Sequence, residues 1–384
     1  MAMLSIPYIR FNKFDNEWFS KKLDLVSNVT MGQSPDSKNY TDNPNDYILV
    51  QGNADVQNGR VVPRVWTTQV TKLAEKGNLI LSVRAPVGDV GKTDYNVVLG
   101  RGVAAIRGND FLFYLLSRMK QTNYWAKFST GSTFESINSS DIKSAEICLP
   151  SQEEQSAIGS LFRTFDDLLS NYKENLANYQ SLKATMLSKM FPKAGQTVPE
   201  IRLDGFEGEW ETKILSEVTN ITMGQSPKSE NYTDNPNDYI LVQGNADIKD
   251  KQVVPRLWTT EVTKMAEIGD IILTVRAPVG DIGKTDYNVV IGRGVAAIKG
   301  TDFIFYALEK MKNTGFWNRF STGSTFESIS SNDIKEAIIQ IPTLKEQQAI
   351  GAYFSNLDDL INSQQEKISQ LETLKKKLLQ DMFI

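Results

Sequence analysis

Two carboxamides and a set of cations recur in this chain with the chemistry needed to read a nucleic acid. Gln51-Gly52-Asn53-Ala54-Asp55 presents Gln51 and Asn53 on a tight turn, and Gln243 to Asp247 repeats it with Gln243 and Asn245. In the major groove Gln and Asn pair bidentately with adenine, as Arg does with guanine. Arg84 and its copy Arg276 stand at a strand-to-turn corner whose glycines allow close approach of a phosphate. Lys92 and Arg101 follow, as do Lys284 and Arg293 in the copy. Ser129 through Thr133 and Ser321 through Thr325 offer hydroxyls and amides to a phosphate, with Ser132, Thr133, Ser324 and Thr325 the chosen candidates. Gln33 and Ser34, with Gln225 and Ser226, complete the set. Each has a structural alternative: amides that cap their own turn, Arg84 paired with Asp89 or Asp94, and a helix cap or solvated loop for the hydroxyl runs.

The usual catalytic machinery is missing. The chain has no histidine and one cysteine, Cys148, so Ser-His-Asp and Cys-His nucleophile systems and an ordinary zinc site are excluded. Gly91-Lys92-Thr93 and Gly283-Lys284-Thr285 match the tail of a phosphate-binding loop, but Pro86 and Pro278 stand where its first glycine belongs. Gly100-Arg101-Gly102 lacks the strand–GxGxxG–helix setting of a nucleotide site and reads as a β-turn. Asn43-Pro44-Asn45-Asp46 lacks the second proline and the aromatic with which adenine methyltransferases stack a flipped base, and also reads as a turn. No pair of carboxylates stands out. The chain reads as non-catalytic, with no metal or cofactor of its own.

Composition sets the frame. With 384 residues, 40% hydrophobic and 23% charged, the chain is long enough for two or more ordinary cores. It shows no apolar run of membrane length and no opening signal peptide, and a lone cysteine suits a reducing cytoplasm. The expected location is cytoplasmic, away from membranes. Net charge is −4, which argues against indiscriminate coating of nucleic acid but not against a local basic face.

The elements that must hold these residues are duplicated. Met31-Gly32-Gln33-Ser34-Pro35 returns as Met223 to Pro227, an offset of 192 residues. The same offset carries Val83-Arg84-Ala85-Pro86-Val87-Gly88-Asp89 onto Val275 to Asp281, and Phe128 through Ile137 onto Phe320 through Ile329 without a change. So long a period means duplicated domains, not a solenoid.

Each half changes texture once. From about Trp18 to Pro150, short β-rich runs such as Tyr47-Ile48-Leu49-Val50 alternate with Gly, Pro and Asn turns. A helix is expected over Asp110 to Phe128, with Phe111, Tyr114, Leu115 and Met119 on one face. This part reads as a compact α/β module. From Gln152 to Met190 the spacing of Ile158, Phe162, Phe165, Leu169, Tyr172, Leu176 and Tyr179 is that of a coiled-coil seam. Its counterpart runs from Ile350 to Leu378, with Gln364 as a polar seam residue suited to fixing register. The expected organisation is a module at 1–151, a helix at 152–191, a linker at 192–207, a second module at 208–343 and a second helix at 344–384. Each helix would span roughly 58 Å. Connectivity makes the pair antiparallel if it packs, giving two α/β (α+β) modules separated by a two-helix coiled coil with pseudo-two-fold symmetry.

Three markers taken in order carry a family resemblance: the Val83-to-Gly88 turn, the Gly131-Ser132-Thr133 segment running on to Asp141-Ile142-Lys143, and Leu149-Pro150-Ser151-Gln152-Glu153-Glu154-Gln155 ahead of a long helix. With Ile341 to Gln347 as the repeat of the last, the chain resembles the specificity subunit of type I restriction–modification enzymes over nearly its whole length. The resemblance implies two target recognition domains on double-stranded DNA, separated by spacer helices that bind two modification (methyltransferase) subunits. It also implies an assembly able to recruit restriction (motor and nuclease) subunits. S-adenosylmethionine would belong to the methyltransferase, not to this chain. Family members usually carry unlike recognition domains, whereas these two are nearly identical, so the expected target is bipartite and near-palindromic. Two other readings stand beside this one: the recognition subunit of a type IIB restriction–methylation system, and a scaffold whose modules bind protein.

Overall fold

The computed structural model describes residues 6–128, 135–320 and 328–384. It divides into two units, Met1–Lys173 with Glu366–Ile384, and Glu174–Gln365. Both long helices are therefore shared. The first, Gln152–Lys189, gives its first part to one unit and its remainder to the other, and the second, Leu344–Asp381, does the same in reverse.

Strand pattern explains the layers of the first unit. Leu79–Ser82, Val97–Leu99 and Val103–Ile106 are buried at every position, as strands covered on both faces must be. Leu79–Ser82 and Val103–Ile106 lie inside a six-stranded sheet ordered Val29–Met31, Val103–Ile106, Leu79–Ser82, Val90–Lys92, Arg60–Val61, Val56–Gln57. Alternation then sorts their side chains. Leu79, Leu81, Ala104 and Ile106 join a core with helix residues, while Ile80, Val103 and Ala105 join Val50, Val97 and Leu99 of a five-stranded sheet. In that second sheet Val97–Leu99 runs parallel to Tyr47–Val50 and antiparallel to Leu73–Ala74. The second unit repeats the plan, with Ile271 and Leu273 facing helices and Ile272 facing the other sheet.

The module helix is shorter than its periodicity suggests. It spans Asp110–Gln121, capped by the Asn109 side chain, which accepts from Leu112 N at 3.0 Å. It stops because Asn123 adopts a left-handed φ of 53°. A 3₁₀ turn over Tyr124–Phe128 follows. The expected face, with Phe111, Tyr114, Leu115 and Met119, is buried.

The long helices, with the residues that follow them, complete each core. In the first unit Phe162 lies 5.7 Å from Phe383, and Phe383 lies 5.1 Å from Phe111. In the second, Phe191 packs 5.4 Å from Phe303 and 6.1 Å from Phe354. Within each unit the two helix segments run antiparallel. In the first, Asp166 pairs with Lys375 and Lys173 with Glu372; in the second, Lys183 pairs with Asp358. Gly159 and Gly351 permit close docking on the module helix, since a Cβ would stand 2.9 Å from Asp110 Cβ in one unit and 2.8 Å from Asp302 Cβ in the other. The seam is not uniformly apolar. Ile158, Phe162, Phe165 and Leu169 are buried, but Tyr172, Leu176 and Tyr179 are half-buried, and the next position is the buried Lys183. Gln364 fixes no register through its oxygen: Oε1 is buried with no partner among the described residues.

Candidate nucleic-acid interface

The sequence-selected residues sit on segments that are distant in the chain and hydrogen-bonded in space. Gln33 N donates to Leu99 O at 2.8 Å, Gly32 N to Val103 O at 2.9 Å, and Gly100 N to Val50 O at 2.7 Å. Arg101 N donates to Ser34 Oγ at 3.0 Å, so the expected Ser34 serves the backbone of another loop. Val83 N donates to Gly102 O at 2.9 Å, which brings the Arg84 corner alongside. That corner is bonded in turn to the Glu135–Ile137 segment, with Ala85 N on Glu135 O and Ile137 N on Val83 O, both at 3.0 Å. Arg84 forms an isolated bridge to Ser136 there. Gln33, Gln51, Asn53, Arg84 and Arg101 thus share one framework of adjoining loops. Glycine makes the contact possible: a Cβ on Gly102 would fall on the Gln51 carbonyl oxygen, and one on Gly294 on that of Gln243.

The Gln51 turn is capped by a carboxylate and not by its own amides. Asp55 Oδ2 accepts from Gln51 N at 2.7 Å and Gly52 N at 3.2 Å, and Asp247 does the same for Gln243 N and Gly244 N at 2.8 and 3.2 Å. Asp55 and Asp247 are buried. Among the described residues the carboxamides of Gln51, Asn53 and Asn245 have no side-chain partner, Asn53 and Asn245 being at the start of short 3₁₀ turns. That of Gln243 donates to Tyr232 Oη at 2.7 Å.

The arginines are exposed. Arg84 does not pair with either carboxylate considered for it, because Asp94 holds Arg60 at 3.0 Å and Asp89 holds Lys120. In the second unit Asp281 holds Lys312. Among the described residues no carboxylate lies within ion-pair distance of Arg84, Arg101, Arg276 or Arg293.

Lys92 and Lys284 belong elsewhere. Lys92 Nζ lies 2.9 Å from Asp110 Oδ1 at the start of the module helix, and Asp110 Oδ2 also takes Arg163 of the first long helix at 2.9 Å. Lys284 pairs likewise with Asp302. These cations tie sheet to helix, so the structure separates them from the loop framework. Ser132, Thr133, Ser324 and Thr325 lie outside the described residues.

Several polar residues that hold the long helices were not singled out from sequence. Arg10 makes a two-pronged pair with the buried Glu154, Nε to Oε1 at 2.6 Å and Nη2 to Oε2 at 2.7 Å. The hydrogen bond to Glu154 raises the Arg10 pKa. Arg202 and Glu346 repeat the pair at 2.8 Å for both prongs. Tyr114 donates to Asp166 at 2.6 Å and Tyr306 to Asp358 at 2.9 Å. Burial first and the carboxylates next raise both phenol pKa values far above the ordinary range. The available signal was the offset of 192 residues, which maps each of these residues onto one of the same type.

Known proteins agree with this architecture. The family model described as type I restriction modification DNA specificity domain matches twice, over residues 15–179 and 207–373. The MjaX type I restriction enzyme specificity subunit of Methanocaldococcus jannaschii is 31% identical over 70% of this chain and 66% of its own length. The MjaIX specificity subunit of the same organism is 25% identical over 58% and 56%. The matches thus span from about half to two thirds of these relatives. A structure from work on complex assembly and conformational transition of the type I R-M system is 25% identical, covering 94% of this chain and 96% of its own, with a TM-score of 0.58. The S subunit of the type I restriction-modification system from M. genitalium shares the fold at 18% identity, 99% coverage of both chains and a TM-score of 0.67. No helix among the described residues is long and apolar enough to cross a membrane. With the specificity domain matched in both halves, on two units of one plan, the chain belongs to the type I restriction modification DNA specificity family.

Proposed function

We propose that this chain is the DNA sequence-specificity subunit of a type I restriction–modification complex. The observation that carries the reading is the duplicated loop framework, on which amides and exposed arginines with no carboxylate partner among the described residues converge beside glycines that let the backbones meet. Arg84, Arg101, Arg276 and Arg293 are matched in chemistry to guanine edges or phosphates, and Gln51, Asn53, Gln243 and Asn245 to adenine edges. Gln33 and Gln225 are exposed at the rim of the same loops. The long helices serve as the seat for two modification subunits, and the assembly recruits restriction subunits. The chain itself does not catalyse. The methyl donor, S-adenosylmethionine, is held by the modification subunit, which methylates one adenine in each half-site on opposite strands. The complex works in the cytoplasm.

The test is to map methylated adenines in the host with and without this gene, and to assay purified chain with S-adenosylmethionine and DNA. Loss of one bipartite methylation motif with the gene, and no transfer by the chain until modification subunits are added, is the expected result. Unchanged methylation, or transfer by the isolated chain, would overturn the reading.

A further inference from the structure

Gln243 is held at its backbone and at the tip of its side chain. Its backbone N–H donates to Asp247, its Cγ lies where a Cβ on Gly292 would come within 3.2 Å, and Nε2 donates to Tyr232 Oη at 2.7 Å. A primary amide carries two N–H hydrogens and one acceptor oxygen. Tyr232 takes one hydrogen, which leaves the other hydrogen and Oε1. That remaining pair is the donor–acceptor set that adenine takes through N7 and N6. The last torsion of a glutamine is otherwise broad, and ordering it on binding costs affinity.

We propose that Tyr232 is a positioning residue for base reading by Gln243. By holding one amide hydrogen it fixes the carboxamide plane, so that the free N–H and Oε1 meet a single adenine edge together. The inference rests on the reading of Gln243 as a base contact. The first unit carries the same two residues, Tyr40 and Gln51, without this bond, so the assignment is to the second unit alone.

The experiment uses the full chain with its modification subunits, selecting from a pool of randomised double-stranded DNA and sequencing the bound fraction. Gln243→Ala lowers the preference at one position by a factor of roughly 5–150, the discrimination of one bidentate contact. Tyr232→Phe lowers the preference at that same position by roughly 2- to 10-fold, the worth of one neutral hydrogen bond, and leaves the other positions alone. If Gln243→Ala flattens a position that Tyr232→Phe leaves intact, Tyr232 has no positioning role. A Tyr232→Phe loss spread over every position marks a distorted loop and also sinks it. An unchanged profile for Gln243→Ala would instead remove Gln243 from the reading set.

Discussion

Lys183, buried in the seam of the first long helix, places its ammonium 2.6 Å from Asp358 Oδ1 on the second. It also lies 3.0 Å from Glu309 and 4.9 Å from the Tyr306 ring centre, and Lys251 joins Glu309 at 2.6 Å. Burial draws the Lys183 pKa below the ordinary lysine value, with Glu309 and Asp358 opposing. The repeat places Lys375 and Asp166 together in the first unit, but Gly59 and Ser117 stand at the positions of Lys251 and Glu309. In the second unit four charges therefore join module and helices in one cluster, whereas in the first the corresponding pair joins helix to helix alone.

The two lysines should consequently differ in worth. Lys183→Met strands two carboxylates with only Lys251 beside them. Breaking a fully buried pair costs about 3–5 kcal/mol, and with one cation left we expect about 2–3 kcal/mol. Lys375→Met removes a half-exposed pair and should cost about 1 kcal/mol or less. Urea unfolding with hydrogen exchange read separately over each unit checks this, and equal losses would contradict it.

Alkaline pH supplies a second test. Tyr114 and Tyr306 keep their protons in the folded chain well above the ordinary tyrosine value of about 10. The unfolded chain releases them near that value, so above it the folded state binds more protons and stability falls with rising pH. Below it the contribution is complete. A chain with Tyr114→Phe and Tyr306→Phe should melt lower at neutral pH, each lost hydrogen bond to a carboxylate costing about 1.5–3 kcal/mol. Its melting temperature should then decline less between pH 9.5 and 11, relative to neutral pH, than that of the unaltered chain, taking these as values on the order of one unit around the phenol midpoint. Parallel curves would show that the two phenols do not titrate as described.

The residues explain how far the sequence could be read. The long helices were legible because Ile158, Phe162, Phe165 and Leu169 keep one period without interruption, and the first runs from Gln152 to Lys189. The charged end of that seam was not, because Lys183 breaks an apolar pattern and its partners Glu309 and Asp358 lie 126 and 175 residues away. The module helix was overlong because Phe111 to Phe128 continues to look amphipathic, while the left-handed Asn123 that ends it is a single backbone choice. At the interface the residue types were legible but their grouping was not. Lys92 and Arg101 lie nine positions apart, yet one serves the module helix and the other the loop framework.

The arginine corners can be sorted by salt. Arg84→Ala and Arg276→Ala remove exposed guanidiniums that hold no carboxylate among the described residues, so folding should change little. If the side chain reads guanine, specific binding weakens by about 1–3 kcal/mol and selectivity relaxes at one position. If it holds a phosphate, the loss is uniform across sequences and the salt slope falls by about one. Binding titrations at several salt concentrations separate the two, and unaltered affinity in a folded variant would return both residues to a structural role.

The target itself should be bipartite and near-palindromic. Gln51 and Gln243, Asn53 and Asn245, Arg84 and Arg276, and Arg101 and Arg293 occupy matching places on matching loop frameworks. Matching groups on matching frameworks select the same bases, with the Tyr232 contact sharpening the choice in the second half-site. The helix contacts exchange roles between units, since Asp166 of the first helix meets Lys375 of the second while Lys183 of the first meets Asp358 of the second. If the two halves meet DNA as dyad-symmetric proteins do, their half-sites are inverted. The charged differences do not break this. Asp36 and Lys38 form a local pair at 3.3 Å, and Lys228 and Glu230 form the sign-reversed pair at 3.7 Å. Glu261, in place of Gln69, accepts from Lys228 N at 2.8 Å and adds one negative charge to the second module at this exposed corner. Arg60, which becomes Gln252, is paired with Asp94 at 3.0 Å. Single-molecule methylation sequencing of the host should therefore find one short sequence read on both strands across an unspecified spacer. Two unrelated half-sites would mean that residues outside these loops choose the bases.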